Sequence, residues 1–96
     1  MATIVLAPGA LSDLERLRDF LIAEDPEAAA DTIDLILGGI AVVAQHPLIG
    51  RPAEADLREL VISRGRSGYL ALYSYDELRD GVLVLSIRHQ REAGYL

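Results

Sequence analysis

The chain has 96 residues, 51% of them hydrophobic, a formal net charge of −6 and no cysteine. That length supports a single core and one domain spanning residues 1–96, and the apolar content excludes a disordered chain. The missing thiols exclude a disulfide framework and any thiolate metal site, while the acidic balance argues against strong direct nucleic-acid binding, which needs clustered cations.

Residues Thr3–Ala7 form a β-branched, apolar run stopped by Pro8 and Gly9, which reads as a first strand. From Ala10 to Glu24, Ala10, Leu14, Leu17 and Leu21 recur at steps of three and four, with Leu11 and Phe20 beside them. This spacing predicts an amphipathic helix with Asp13, Glu15, Arg16, Arg18 and Asp19 facing solvent. Asp25 followed by Pro26 predicts an N-cap and a proline at the first position of a second helix, after almost no loop. Its apolar face is Ala29, Ile33, Ile36, Leu37, Ile40, Val43 and Ala44, and His46-Pro47 ends it. The two helices are therefore expected to form an antiparallel hairpin. Gly38 and Gly39 lie inside the second helix, where each costs about 1 kcal/mol relative to alanine. No phosphate-loop pattern surrounds them, so a structural cause is expected: close approach of another element or a local bend.

Residues 46–56 are rich in turn formers. Leu57–Ser63, Tyr69–Tyr75 and Val82–Ile87 then predict three strands joined by short loops, hence an antiparallel meander. Tyr69, Ala71, Tyr73 and Tyr75 alternate with Leu70, Leu72 and Ser74, so both faces carry apolar bulk and this strand is expected to be central. The predicted order is β-α-α-β-β-β: an α+β domain with an antiparallel sheet and an N-terminal helical hairpin packed on one face.

No run approaches the roughly 20 apolar residues of a membrane span. Residues Met1–Pro8 lack the basic and long apolar regions of an export signal, so a cytoplasmic location is expected. Charge is unevenly spread. Residues 1–50 hold eight acids against Arg16 and Arg18, whereas arginines and acids balance beyond residue 50. All nine basic residues are arginine, which suits planar, bidentate contacts to carboxylate or phosphate.

Several pieces in this order resemble the RelE/ParE superfamily of toxins from type II toxin-antitoxin modules. They are the opening strand with Pro8 and Ala10, Asp13-Leu-Glu-Arg-Leu, Asp25-Pro-Glu-Ala-Ala, His46-Pro-Leu-Ile-Gly-Arg-Pro52, Leu57-Arg-Glu-Leu60, Gly68-Tyr69 with Tyr73, and Ile87-Arg-His-Gln-Arg-Glu92. The resemblance covers nearly the whole chain and is closer to the ParE, or plasmid stabilisation, branch than to RelE. RelE-like nucleases place an arginine directly after the Gly-Tyr that starts the central strand, where this chain has Leu70, and a second near Gln90. Tyr95 is a stand-in for their C-terminal tyrosine.

The resemblance implies a RelE-like fold and a toxin that inhibits DNA gyrase by binding and is neutralised by a cognate antitoxin, with no cofactor. The alternatives are a ribosome-dependent mRNA endoribonuclease of RelE type and a non-toxic antitoxin-binding or dimerisation module. Both a homodimer and an antitoxin-bound hetero-oligomer are compatible with it.

Arg88, His89 and Arg91 form the sharpest candidate cluster. Histidine titrates near neutral pH, and nearby arginines favour the neutral form that a general base needs. No second acid or base is evident beside it, so recognition or structural support is expected ahead of catalysis. Arg58, Arg64 and Arg66 bracket one strand and its turn, and as a group could hold an acidic antitoxin or target surface. Within its apolar strand Arg58 is expected to pair with a carboxylate. Structural roles are expected for His46 and for Arg51, which can bond helix C-terminal carbonyls or a carboxylate. His46 and His89 do not make a metal site, because no convergent ligand pair lies at short spacing.

Overall fold

The computed structural model describes residues 1–64 and 67–92, with side chains for all of these except residues 64 and 67. Strand β1 (Thr3–Leu6) leads into helices α1 (Pro8–Glu24) and α2 (Pro26–Gln45). A two-residue strand β2 (Arg51–Pro52) and the long strands β3 (Leu57–Arg64), β4 (Ser67–Asp76) and β5 (Gly81–His89) follow. The sheet order is β1-β5-β4-β3-β2, so β4 is central, as its two apolar faces predict.

The α+β architecture matches the expectation, with two differences in the sheet. β2 is an additional short strand, pairing Arg51 with Glu59 and Pro52 with Arg58. β1 pairs with β5 in parallel, from Thr3 opposite Gly81 to Leu6 opposite Val84, so the sheet is not wholly antiparallel. A parallel pair requires a long crossover, and the helical hairpin lies within it. β1 has no residue that encodes the direction of a partner so far along the chain.

The helices cover one face of the sheet. That face is built from Ile4 and Leu6, from Val82, Val84 and Ile87, from Tyr69, Ala71 and Tyr73, and from Leu60 and Ile62. Ala10 and Leu17 of α1 and Ile36, Ile40 and Val43 of α2 close the core from above. α1 starts at Pro8, ahead of the predicted Ala10, because proline fits the first turn, where its missing N–H would have no partner anyway. Asp25 ends α1 through its N–H on Leu21 O and caps α2 by accepting from Ala28 N, as expected. Three expected apolar contributors sit near the margin: Leu11, Phe20 and Leu37 are 48%, 62% and 40% exposed.

Asp13 corrects the predicted wet face of α1, since it is buried. β1 lines β5 only as far as Val84, and past that point the outer edge of β5 faces α1. A strand edge buried under a helix must find partners for its backbone. Asp13 Oδ2 accepts from Ile87 N at 2.8 Å, Arg16 Nη2 donates to Ile87 O at 3.4 Å, and Glu92 Oε1 accepts from His89 N at 3.3 Å. These side chains replace the missing strand. A register shift between Leu72 and Tyr73 leaves Leu85 as an extra residue on β5, at the place where the edge passes from β1 to α1.

A second set of polar contacts holds the exit from α2. Tyr73 is fully buried, and its hydroxyl accepts from Gly50 N at 2.9 Å and donates to Pro47 O at 2.8 Å. Arg58 does not pair with a carboxylate as expected: its Nη1 donates to Leu48 O at 3.2 Å and Gly50 O at 2.8 Å. The turn's carbonyls lie nearer to it than any acid. Gly50 leaves room for the phenol, because a Cβ there would stand 2.7 Å from Tyr73 Cε1. The helical glycines differ from one another. A Cβ on Gly39 would meet Ile62 Cγ1 at 2.9 Å, which is the expected close approach, whereas nothing lies within 4 Å of one on Gly38.

Candidate functional site

Side chains alternate along a strand, and this splits the predicted Arg88-His89-Arg91 cluster. His89 pairs with Tyr69 and faces the helices, whereas Arg88 pairs with Leu70 and points to the other face. There Arg88 Nη1 donates to Glu92 O at 2.6 Å, with longer bonds to His89 O and Gln90 O. Arg88 therefore folds the chain back at the end of β5 rather than joining the imidazole.

His89 sits half-buried in a groove of about 450 Å³ between the end of the sheet and α1. Leu17, Phe20 and Leu21 form the apolar wall, and Tyr69 meets the imidazole edge-to-face at a centroid distance of 5.2 Å. Arg91 N donates to His89 Nδ1 at 3.1 Å, so the neutral ring carries its proton on Nε2. Arg91 is exposed at the rim.

Arg16 also lines the groove, but its Nη1 donates to Glu92 Oε1 at 2.7 Å and its Nη2 lies 3.5 Å from Asp13. The hydrogen bond to Glu92 raises the Arg16 pKa, opposed by partial burial. Burial pushes the Glu92 carboxyl up, but the Arg16 hydrogen bond, the His89 amide and the nearby positive charge outweigh it and leave it below its ordinary value. Glu92 is thus a committed anion tied to Arg16, poorly suited to moving a proton. The groove offers an apolar surface, one imidazole and a peripheral guanidinium, an arrangement suited to receiving a partner's side chain.

The other expected site residues lie elsewhere. Arg51 donates to Glu59 across β2 and β3, the carboxylate alternative predicted for it. His46 forms the C-terminal cap of α2, its N–H on Val42 O and its carbonyl accepting from Ile49 N. Arg66, Tyr95 and the side chain of Arg64 lie outside the described residues. Among the described residues no three His, Asp or Glu side chains converge as a metal site, and no helix is long and apolar enough to cross a membrane.

Asp13, Arg16, Glu92 and Tyr73 are not among the site residues expected from the sequence, although each lies in a piece that carries the resemblance. The spacing of Asp13 and Arg16 was a usable signal, because it puts an acid and a base on one helical face beside the apolar stripe. Nothing local marks Tyr73, whose partners are 23 and 26 residues away.

The sequence family described as the ParE toxin of the type II toxin-antitoxin system, parDE, matches residues 4–94. Toxin RelE3 of Caulobacter vibrioides is 39% identical over 92 residues, covering 96% of this chain and 98% of the relative. Among solved structures, the chromosomal ParDE system of P. aeruginosa superposes with a TM-score of 0.78 at 20% identity, covering 93% of this chain and 96% of that one. The intact E. coli RelBE toxin-antitoxin complex gives 0.70 at 16% identity, with 96% and 100% covered. The RelBE2 complex of Mycobacterium tuberculosis gives 0.59 at 24% identity, with 93% and 98% covered. At these identities the solved structures speak for the fold.

Proposed function

The chain belongs to the ParE toxin family of type II toxin-antitoxin systems, and from that premise we propose that it acts by binding: it inhibits DNA gyrase, so that cleaved DNA accumulates, and a cognate antitoxin neutralises it. The observation that carries this reading is the dispersal of cations around His89. Cleavage of RNA by its own 2′-hydroxyl benefits from guanidinium groups aimed at the reacting phosphate. Here Leu70 stands where the nuclease branch has one arginine, and Gln90 stands near the place of the other. Arg88 faces away from the imidazole, and Arg16 is neutralised by Glu92. What the groove retains is contact area, with Phe20 as an exposed aromatic anchor of the kind that dominates protein interfaces.

The antitoxin is assigned to the sheet face opposite the helices. Val5, Leu83 and Val61 are exposed there, with Leu72 half-buried among them. β2 lines β3 only at Arg58 and Glu59, which leaves the edge of β3 past Glu59 for an added strand. The solved neighbours from E. coli and M. tuberculosis are toxin-antitoxin complexes, which supports a cognate antitoxin for this chain.

A supercoiling assay with purified gyrase tests the target. Inhibition with accumulating linear DNA is expected, and no effect at high molar excess counts against the proposal. The second reading, ribosome-dependent mRNA cleavage, is favoured by the name of the Caulobacter relative, toxin RelE3. Message cleavage in a translation reaction, abolished by His89→Ala, would put it first.

A further inference from the structure

Arg16 and Glu92, which line the groove beside His89, spend their charges on each other at 2.7 Å, and Asp13 behind them accepts from Ile87 N. Two donors of the groove are left open. His89 Nδ1 is occupied by Arg91 N, so the ring's own N–H lies on Nε2, where it has no acceptor among the described residues. The Arg91 guanidinium at the mouth likewise makes no ion pair or hydrogen bond among them. Both donors belong to the end of β5 and the turn after it, and the α1 wall of the groove, Leu17, Phe20 and Leu21, is apolar.

We propose that this groove recognises a carboxylate carried beside an aromatic or long aliphatic side chain, the acid bound by His89 Nε2 and the Arg91 guanidinium and the apolar group lying against Phe20 and Tyr69. The inference rests on the reading of the groove as the contact with the target, and it gives the target segment its chemistry: an acidic and apolar stretch of protein.

Charge selects the acid. Asp13 and Glu92 are engaged by Arg16 and by the Ile87 and His89 N–H groups, so the cation that remains for a partner is Arg91. Donors set in an apolar recess favour an acceptor with full negative charge, because a charge-assisted hydrogen bond is stronger than a neutral one and the walls weaken competition from water. A nucleic-acid strand is a poorer occupant. Its phosphates call for several clustered cations, whereas the chain has a net charge of −6 and the groove offers one unpaired guanidinium. Shape selects the apolar part: the groove's volume of about 450 Å³ is far more than a carboxylate fills, and Phe20 stands 62% exposed along its wall.

Amide NMR of the intact, isotope-labelled chain tests this with hydrocinnamate, a phenyl ring tethered to a carboxylate, as the probe and hydrocinnamide, equal in shape and uncharged, as its control. Shift changes are expected at Phe20, Tyr69, His89 and Arg91, with the acid bound about tenfold more tightly than the amide, the value of one net hydrogen bond to a charged group. Arg91→Gln should bring the acid to the affinity of the amide, and Phe20→Ala should weaken both. Both side chains are exposed, so the spectrum away from the groove should be unchanged in either variant. Equal affinity for acid and amide, shift changes centred outside the groove, or tighter binding there of a dithymidine dinucleotide overturns the proposal. In the supercoiling assay Arg91→Glu should need about tenfold more protein than the wild type for half-inhibition, and equal potency overturns it too. A wild-type chain that leaves gyrase untouched removes the target reading alone, since the preference for acid over amide is measured without gyrase.

Discussion

Tyr73 has no exposed surface, and its hydroxyl is the shared partner of Gly50 N and Pro47 O. Tyr73→Phe keeps the ring and strands both groups, so a loss of about 1–3 kcal/mol is expected in urea unfolding. Asp13→Ala should cost a similar amount, because it removes the buried acceptor of Ile87 N. Glu92 supplies a pH dependence. Its folded-state pKa lies below the ordinary 4.5, so its stabilising contribution is present above that value and is lost as pH falls through the folded one. Unfolding measured from about pH 7 to about pH 3 should therefore show an acid-side loss in the wild type that Glu92→Gln lacks. The side chain is partly exposed, so the effect is expected to be modest and to shrink with salt.

At the scale of elements, two adjacent glycines give opposite predictions. Gly38→Ala adds a methyl into open space and gains helix propensity, so about 1 kcal/mol of stabilisation is expected. Gly39→Ala drives the same methyl into Ile62 and should destabilise, because the core-facing side of α2 must move off β3. Thermal melts of the two single variants check both signs. The junction between the helices rests on Asp25, and Asp25→Ala should cost about 1 kcal/mol through loss of the cap on Ala28 N. The helix boundaries were legible because proline, capping residues and apolar spacing act locally. The burial of Asp13 was not, since its cause is the edge of a strand 74 residues away.

For the whole molecule, the fold class, the order of the long elements and the family were readable from the sequence. Periodicity sets which elements form, and the turn residues between β3, β4 and β5 make their antiparallel order the natural one. Tertiary structure alone decided three things. It paired β1 in parallel with β5, because a strand's residues do not name a distant partner. It carried β5 past the expected end at Ile87 to His89, so that strand alternation turns Arg88 and His89 to opposite faces, and it gave Arg58 carbonyls instead of a carboxylate, because strand pairing and the proximity of loops determine what a side chain meets. It also separated Gly38 from Gly39, identical and adjacent in sequence, by setting one against β3 and leaving the other open to solvent.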